Sequence, residues 1–428
     1  MPLEYPDAFH SIDCPRVAGQ GLVASVIPVR FSLRLPQPYG RMLAPVYAPS
    51  LLMAVSQEAA MILLPLYALE QGASAALAAL LVGLRGIGLL VFDAPAGALV
   101  ARFGDRPILI FGLAAMLAGL LALAVAPGLW AFFPAALLLG AGHAAWVLGR
   151  QSYITDVCAS DEVGRAITGM AGLQRVGAFV GPAAGGLLAS VAGYPIAFLA
   201  GALCAAAATG FVLAYARTGR DAEQHGAART SSMLDGLAAV LREHRRVLAT
   251  AGTAALALQL MRATRQLLVP LFGESIGLDP GAIGVLYSLS AAIDMSLFYP
   301  VGVLIDRWGR KWSALPSMLL FVLGLALLPL ADGYFSLLGA VLLLGLANGL
   351  GTGVVMVIGS DLAVASGRRG EFLGVWRLIG DVGMSGAPLL TGALVQLSGL
   401  ALASGVTAAI GLAGALIMAF LVGETLRR

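Results

Sequence analysis

Long apolar runs alternate along this chain with short polar breaks. Each run has about the 17–25 residues that an α-helix needs to cross a bilayer. Ala, Leu and Gly dominate the runs, not β-branched residues. A transmembrane barrel would instead show alternating segments of about ten residues. Only helices and closed barrels satisfy every backbone group in hydrocarbon, so the pattern predicts helices. Twelve spans are expected near 43–67, 77–100, 107–126, 129–153, 166–190, 194–216, 246–272, 281–304, 313–331, 335–360, 371–397 and 401–423.

The polar breaks sort by charge. The turns after spans 1, 3, 5, 7, 9 and 11 carry no Lys or Arg but hold Glu70, Glu274, Asp279 and Asp332. The other turns hold Arg102, Arg106, Arg165, Arg307, Arg310, Lys311, Arg368 and Arg369. The 217–245 stretch adds Arg217, Arg220, Arg229, Arg242 and Arg245. Basic residues stay on the cytoplasmic side, which predicts that both termini and the central linker are cytoplasmic. The chain is then a multi-pass protein of the inner (cytoplasmic) membrane.

Composition removes the other classes. Only 11% of residues are charged and 59% are hydrophobic, too few charges to clothe a soluble surface. A net charge of +3 over 428 residues makes no basic face for nucleic acid. Residues 1–41 differ from the rest: six prolines and scattered charges predict a disordered cytoplasmic tail, with Met42 as the alternative start. They lack the basic and apolar regions of a signal peptide. Cys14, Cys158 and Cys204 have no metal-site or redox-pair spacing.

The chain repeats itself. Pro65 and Pro270 lie 205 residues apart, as do Gly72 and Gly277, Pro95 and Pro300, Gly97 and Gly302, Gly104 and Gly309, Gly140 and Gly345, and Asp156 and Asp361. After one inserted residue the offset is 206, for Gly177 and Gly383, Pro182 and Pro388, and Gly186 and Gly392. A six-helix unit is therefore duplicated. The expected organisation is a 1–41 tail, a 42–216 bundle, a 217–245 cytoplasmic linker and a 246–428 bundle.

Gly302-Val-Leu-Ile-Asp306-Arg307-Trp-Gly309-Arg310-Lys311 fills every defining position of the loop motif G-x-x-x-D-R-x-G-R-K. On these residues the chain resembles the major facilitator superfamily over 42–428. The resemblance implies an all-α membrane protein with twelve transmembrane helices in two pseudo-symmetric six-helix bundles, the major facilitator fold. The first-half copy, from Gly97 through Arg102 and Gly104 to Asp105 and Arg106, is degenerate: Ala101 replaces the acid and Asp105 a basic residue. In the family the motif is read as a cytoplasmic latch, so Gly97, Arg102, Asp105, Gly302, Asp306, Arg307, Gly309, Arg310 and Lys311 are its expected members. The Asp can accept hydrogen bonds at a helix N-terminus, and the basic residues can pair with acids on a neighbouring span. The alternative is that these charges only set topology.

Gly177-Ala-Phe-Val-Gly181-Pro182-Ala-Ala-Gly185-Gly186 resembles the antiporter motif of proton-coupled drug exporters in that superfamily. Gly177, Gly181 and Gly185 make one stripe where another helix can approach closely. Pro182 removes a backbone donor. Close packing alone is the bland reading. One departure counts against the usual coupling route: Ala136 and Leu139 stand where the family often places Arg and Gln.

Each ionisable group inside a span costs roughly 2.5–3.5 kcal/mol on insertion scales and is a functional candidate. Ten such groups are expected: Glu58, Arg85, Asp93, Arg150, Arg175, Arg262, Arg265, Asp294, Arg377 and Asp381. Glu58, after Gln57 in cavity-lining span 1, is the first candidate proton carrier; a fixed pair with a buried Arg is the alternative. Asp294 and Asp381 are further proton-coupling candidates. Span 7 sets Gln259, Arg262 and Gln266 on one face with Arg265 at its edge, and forked Arg donors suit a carboxylate or phosphate. Arg262 or Arg265 pairing with Asp294 would instead be structural. Arg377 and Asp381 suit an intrahelical pair, and Arg150 can snorkel from the end of span 4. His143 and Asn348 correspond in spans 4 and 10, and with Trp146 complete the expected substrate contacts.

No P-loop, metal cluster, nucleophile elbow or cofactor loop is present in the sequence, so no enzyme, cofactor or metal is expected. The expected function is secondary transport with alternating access: proton-driven export of a small organic compound, drug-like or metabolic, by a monomer in the lipid bilayer. The alternative is a proton symporter or uniporter importing an organic anion, suggested by the +2 balance of the ten intramembrane charges.

Overall fold

The computed structural model describes residues 42–159, 162–216, 239–366 and 368–425. The expected 1–41 tail, and most of the expected linker, lie outside the described residues.

Apolar runs become helices because hydrocarbon offers backbone groups no partner but each other. Eleven of the described helices are long and apolar enough to cross a membrane. Span 1 is Ala48–Glu70, span 2 Ala75–Phe103, span 3 Asp105–Ala124, span 4 Phe132–Val157, span 5 Val163–Ala192 and span 6 Tyr194–Tyr215. Span 7 is Thr253–Ser275, span 8 Pro280–Trp308 and span 9 Lys311–Leu327. Span 10 comes in two pieces, Tyr334–Leu350 and Val354–Ala365. The last helix, Arg369–Phe420, turns at Gly399 and so supplies both span 11 and span 12.

The turns show why the repeat anchors are glycines. Gly72 and Gly277 have φ of 83° and 78°; Gly104 and Gly309 have 84° and 113°. Gly193 and Gly399, 206 apart, have 87° and 84°. An L side chain pays steric energy at such φ and glycine does not. Gly353, at φ 75°, has no such partner: its first-half counterpart Leu148 lies inside an unbroken helix.

The halves meet along spans 2 and 11 and along spans 5 and 8. Near the acidic turns the backbones almost touch. A methyl added at Gly186 would stand 3.1 Å from Gly284 Cα, and one at Gly392 would stand 3.0 Å from Ala79 Cβ. Near the basic turns, a methyl at Gly97 or Gly302 would meet no described atom within 4 Å. The halves are therefore closely packed at the acidic end, and Gly97 and Gly302 make no such contact at the basic end. Outward faces carry exposed apolar residues such as Leu203, Leu319 and Leu416.

The polar cavity and its charged walls

Between the halves lies a cavity of about 370 Å³. Spans 1, 2, 4, 5, 7 and 11 contribute to its wall. Of the expected site residues it gathers Gln57, Glu58, His143, Gln266 and Asp381. Arg85, Asp93, Gln174 and Arg377 join them. Three acids therefore face two guanidinium groups here. The +2 intramembrane balance is not the charge of this cavity, because Arg150, Arg175, Arg262 and Arg265, with Asp294, lie outside its wall.

Glu58 is positioned by span 5. The stripe Gly177, Gly181 and Gly185 lies against span 1, as its spacing implied. A methyl at Gly181 would fall 2.5 Å from the Val55 carbonyl oxygen and 3.0 Å from Glu58 Cβ. Span 8 completes the packing. The Ala183 N–H, next to Pro182, donates to Ser288 Oγ at 2.9 Å. Opposite Glu58, Arg85 Nη1 lies 2.8 Å from Met61 Sδ. Gln57 Nε2 reaches Met116 Sδ at 3.4 Å. His143 Nδ1 is buried without a hydrogen-bond partner among the described residues.

Among the described residues two ion pairs join the halves. Arg175 of span 5 meets Asp294 of span 8 at 3.3 Å, and Thr352 Oγ1 donates to the same carboxylate at 3.2 Å. Arg377 reaches Asp93 of span 2 at 3.7 Å and its own helix's Asp381 at 3.6 Å. The intrahelical Arg377–Asp381 pair was legible from the i,i+4 spacing. The link to Asp93 was not, because spacing says nothing about a different helix.

Several expectations are corrected. Neither Arg262 nor Arg265 pairs with Asp294, because Arg175 holds that carboxylate. Arg265 is 6% exposed, donates to the Leu344 carbonyl at 3.0 Å and to Tyr287 Oη at 3.4 Å, and leaves the substrate face. Arg150 does not snorkel: it is 3% exposed, donates to Ser50 Oγ at 3.1 Å and lies over the Trp146 ring. Trp146 is buried beneath it and does not line the cavity. Gln259 and Arg262 line a different chamber, on the second half alone. The Asn348 carbonyl accepts from Arg262 Nη2 at 3.4 Å.

The loop motif is clearest in the second half. Arg310 Nε bonds Asp361 Oδ2 at 2.8 Å and Arg310 Nη2 reaches Oδ1 at 3.4 Å, a forked pair to span 10. Glu424 accepts from the Arg310 and Lys311 backbone N–H groups at 2.9 and 3.1 Å, and fits beside Gly309. Lys311 Nζ donates to the Ala419 carbonyl, while Arg106 Nη2 donates to that of Leu213 in the first half. These are the same contact made twice, since 106 and 311, and 213 and 419, are repeat positions. Asp306 and Arg307 are exposed, and Asp306 sits near the end of span 8, not at a helix N-terminus. Arg102 lies over the Phe103 ring. Asp105 stands where Arg310 stands, so the first half cannot repeat the forked pair to its Asp156. Asp361 and Glu424 were not expected members; the first was visible only as a repeat anchor.

Long apolar helices in two repeated sets around an internal polar cavity define a multi-pass membrane protein of two like halves. The model of the Major Facilitator Superfamily matches residues 49–267 and 251–428. The chain belongs to that superfamily. It is 29% identical over 273 residues to Multidrug resistance protein MdtH of Yersinia enterocolitica, and over 274 residues to that of Yersinia pestis. Each match covers 61% of this chain, and the chain spans 63% of the length of those relatives. Two solved structures share the fold. A POT family transporter in complex with 5-aminolevulinic acid has a TM-score of 0.74 at 12% identity, over 89% of this chain and 96% of that one. The peptide transporter POT in complex with sulfate has 0.73 at 14% identity, over 92% and 97%.

Proposed function

We propose that this transporter exports small amphipathic organic compounds in exchange for protons. The observation that carries the reading is Glu58, a carboxyl in the wall of the inter-half cavity, flanked by Arg85 and gripped by the antiporter-like glycines of span 5. A group that gains and loses a proton there changes what the cavity attracts. The lining, three acids against two guanidinium groups with Met61, Leu89 and Met384 between them, suits a cationic or neutral compound with an apolar body. Similarity to proteins named for multidrug resistance supports the same direction.

In this proposal substrate contacts come from Gln57, His143, Gln174 and Gln266. Asp294 and Asp381 act in the ion pairs that couple the halves. With the basic turns cytoplasmic, in the inner membrane, the cavity faces inward. Rocking of a 42–216 half against a 246–428 half then alternates access. A monomer suffices, since both halves are in one chain. Purified protein in liposomes with an imposed pH gradient tests this. Uptake of an amphipathic cation should be driven by the gradient in the parent. Glu58→Gln should lose that drive yet still exchange labelled for unlabelled substrate at equal pH. Gradient-driven uptake undiminished in Glu58→Gln would sink the proposal.

A further inference from the structure

Spans 1, 3, 5 and 6 leave a pocket of about 190 Å³ on the flank of the first half. Val55, Leu63, Leu120, Leu188 and Phe198 give it an apolar wall, and no charged side chain among the described residues lines it. It has two polar side chains. Ser56 Oγ already donates to the Gly201 carbonyl at 3.2 Å, and Cys204 is a free thiol. The pocket shares no residue with the central cavity, because span 1 stands between them. Ser56 and Ala59 face the pocket, whereas Gln57 and Glu58 face the cavity. Its mouth lies on the outer surface. Ala184 is at once wall and exposed, and Leu187, Leu199 and Leu203 beside it are exposed too. In a chain that spans a membrane, that surface meets hydrocarbon.

The repeat shows what makes the room. Ser56 corresponds to Met261 and Ala59 to Thr264, at the offset of 205. Ala184 corresponds to Leu390, Gly185 to Thr391, Gly201 to Thr407 and Cys204 to Ile410, at 206. Every second-half residue in these pairs is the larger one. There the space is closed from within. The Thr264 and Thr391 hydroxyls share a hydrogen bond at 3.3 Å, and Met261 Sδ presses on Gly411. In the first half the same two positions are Ala59 and Gly185, so close that a methyl at Gly185 would stand 2.6 Å from Ala59 Cβ. Helix contact is kept at that point, and the volume beside it is left unfilled. Close-packed interiors leave few such voids. An apolar cavity of about 150 Å³ stays dry and takes up a hydrocarbon of benzene's size. This one is larger and opens where hydrocarbon chains are the surrounding medium.

We infer that this pocket holds the end of a lipid acyl chain, drawn from the leaflet on the side of the acidic turns. The chain supplies the methylenes that Met261, Leu390 and Ile410 supply in the second half, and it backs the stretch of span 1 that carries Gln57 and Glu58. The site does not depend on the export reading. Photolabelling of the purified full-length protein tests it, in phosphatidylcholine nanodiscs doped with a phosphatidylcholine that carries a diazirine near its chain end. After irradiation, labelled peptides are mapped by mass spectrometry. Segments 184–188 and 197–204 should be labelled at least fivefold more than their counterparts 390–394 and 403–410. Ala184→Leu with Cys204→Ile, which copies the second half, should cut first-half labelling at least fivefold and leave second-half labelling unchanged. Its thermal midpoint should match or exceed that of the parent, since the added side chains fill space. Cys204→Ile alone is the milder variant and should cut the labelling at least twofold. Equal labelling of the two halves in the parent would reduce the pocket to ordinary lipid contact and overturn the site. Labelling undiminished in both variants would overturn it as well. Displacement of the label by tetraphenylphosphonium would assign the pocket to a soluble amphipathic ligand and overturn the acyl-chain assignment.

Discussion

Glu58 owes its setting to a residue with no side chain. Gly181 lets span 5 lie so close that any added methyl meets the Val55 carbonyl and Glu58 Cβ. Overpacking of this kind costs about 1–3 kcal/mol. Gly181→Ala should therefore lower the melting temperature in detergent and shift Glu58; an unchanged melting curve would show that span 5 moves aside freely. The same scale explains the two buried arginines that left the substrate face. Arg150 and Arg265 each found a fixed acceptor, Ser50 Oγ and the Leu344 carbonyl, and an aromatic face, Trp146 and Tyr287. A guanidinium with such partners within its own half has no need of a cavity. The spacing along span 7 placed Arg262 and Arg265 near one another, but nothing in that spacing names the helix each one meets.

At the scale of elements, the loop motif ties helices within the second half. Arg310 bridges to Asp361 on span 10, and Glu424, after span 12, accepts from the start of span 9. Hydrogen bonds to charged groups contribute about 1.5–3 kcal/mol each. Arg310→Gln should accordingly destabilise the second half by about that much, read as a lower thermal midpoint. Arg106→Gln, at the first-half counterpart of Lys311 with its exposed bond to the Leu213 carbonyl, should cost less than about 1 kcal/mol. Equal losses would mean that the degenerate first copy still works as a latch. The turns follow a similar logic. Gly399 holds φ 84° between spans 11 and 12, so Gly399→Ala should destabilise by about 1 kcal/mol or more, measured by thermal unfolding.

For the whole molecule, the decisive contacts are those between halves. Arg175–Asp294 and Arg377–Asp93 cross the two seams beside the cavity. Removing one partner of a shielded pair leaves a charge uncompensated, while removing both can be nearly neutral. Asp294→Asn alone should thus lower stability more than Arg175→Gln with Asp294→Asn together. Additive losses in thermal unfolding would show that the pair carries no coupling.

By itself the sequence determined the spans, the sidedness of charge and the duplication. Those depend on properties that repeat along the chain: run length against bilayer thickness, Lys and Arg confined to alternate turns, and glycines wherever φ must be positive. Even the turn between spans 11 and 12, drawn through one continuous helical stretch, falls at Gly399, between the expected spans 371–397 and 401–423. Only the tertiary structure decided which of ten intramembrane charges meet. Asp93 took an arginine from the other half, Asp294 was claimed by span 5, and Arg262 was left facing the break in span 10. Pairing is a matter of helix rotation and of which helices are neighbours. In a bundle whose helices are apolar over most of their surface, sequence periodicity carries little of that information.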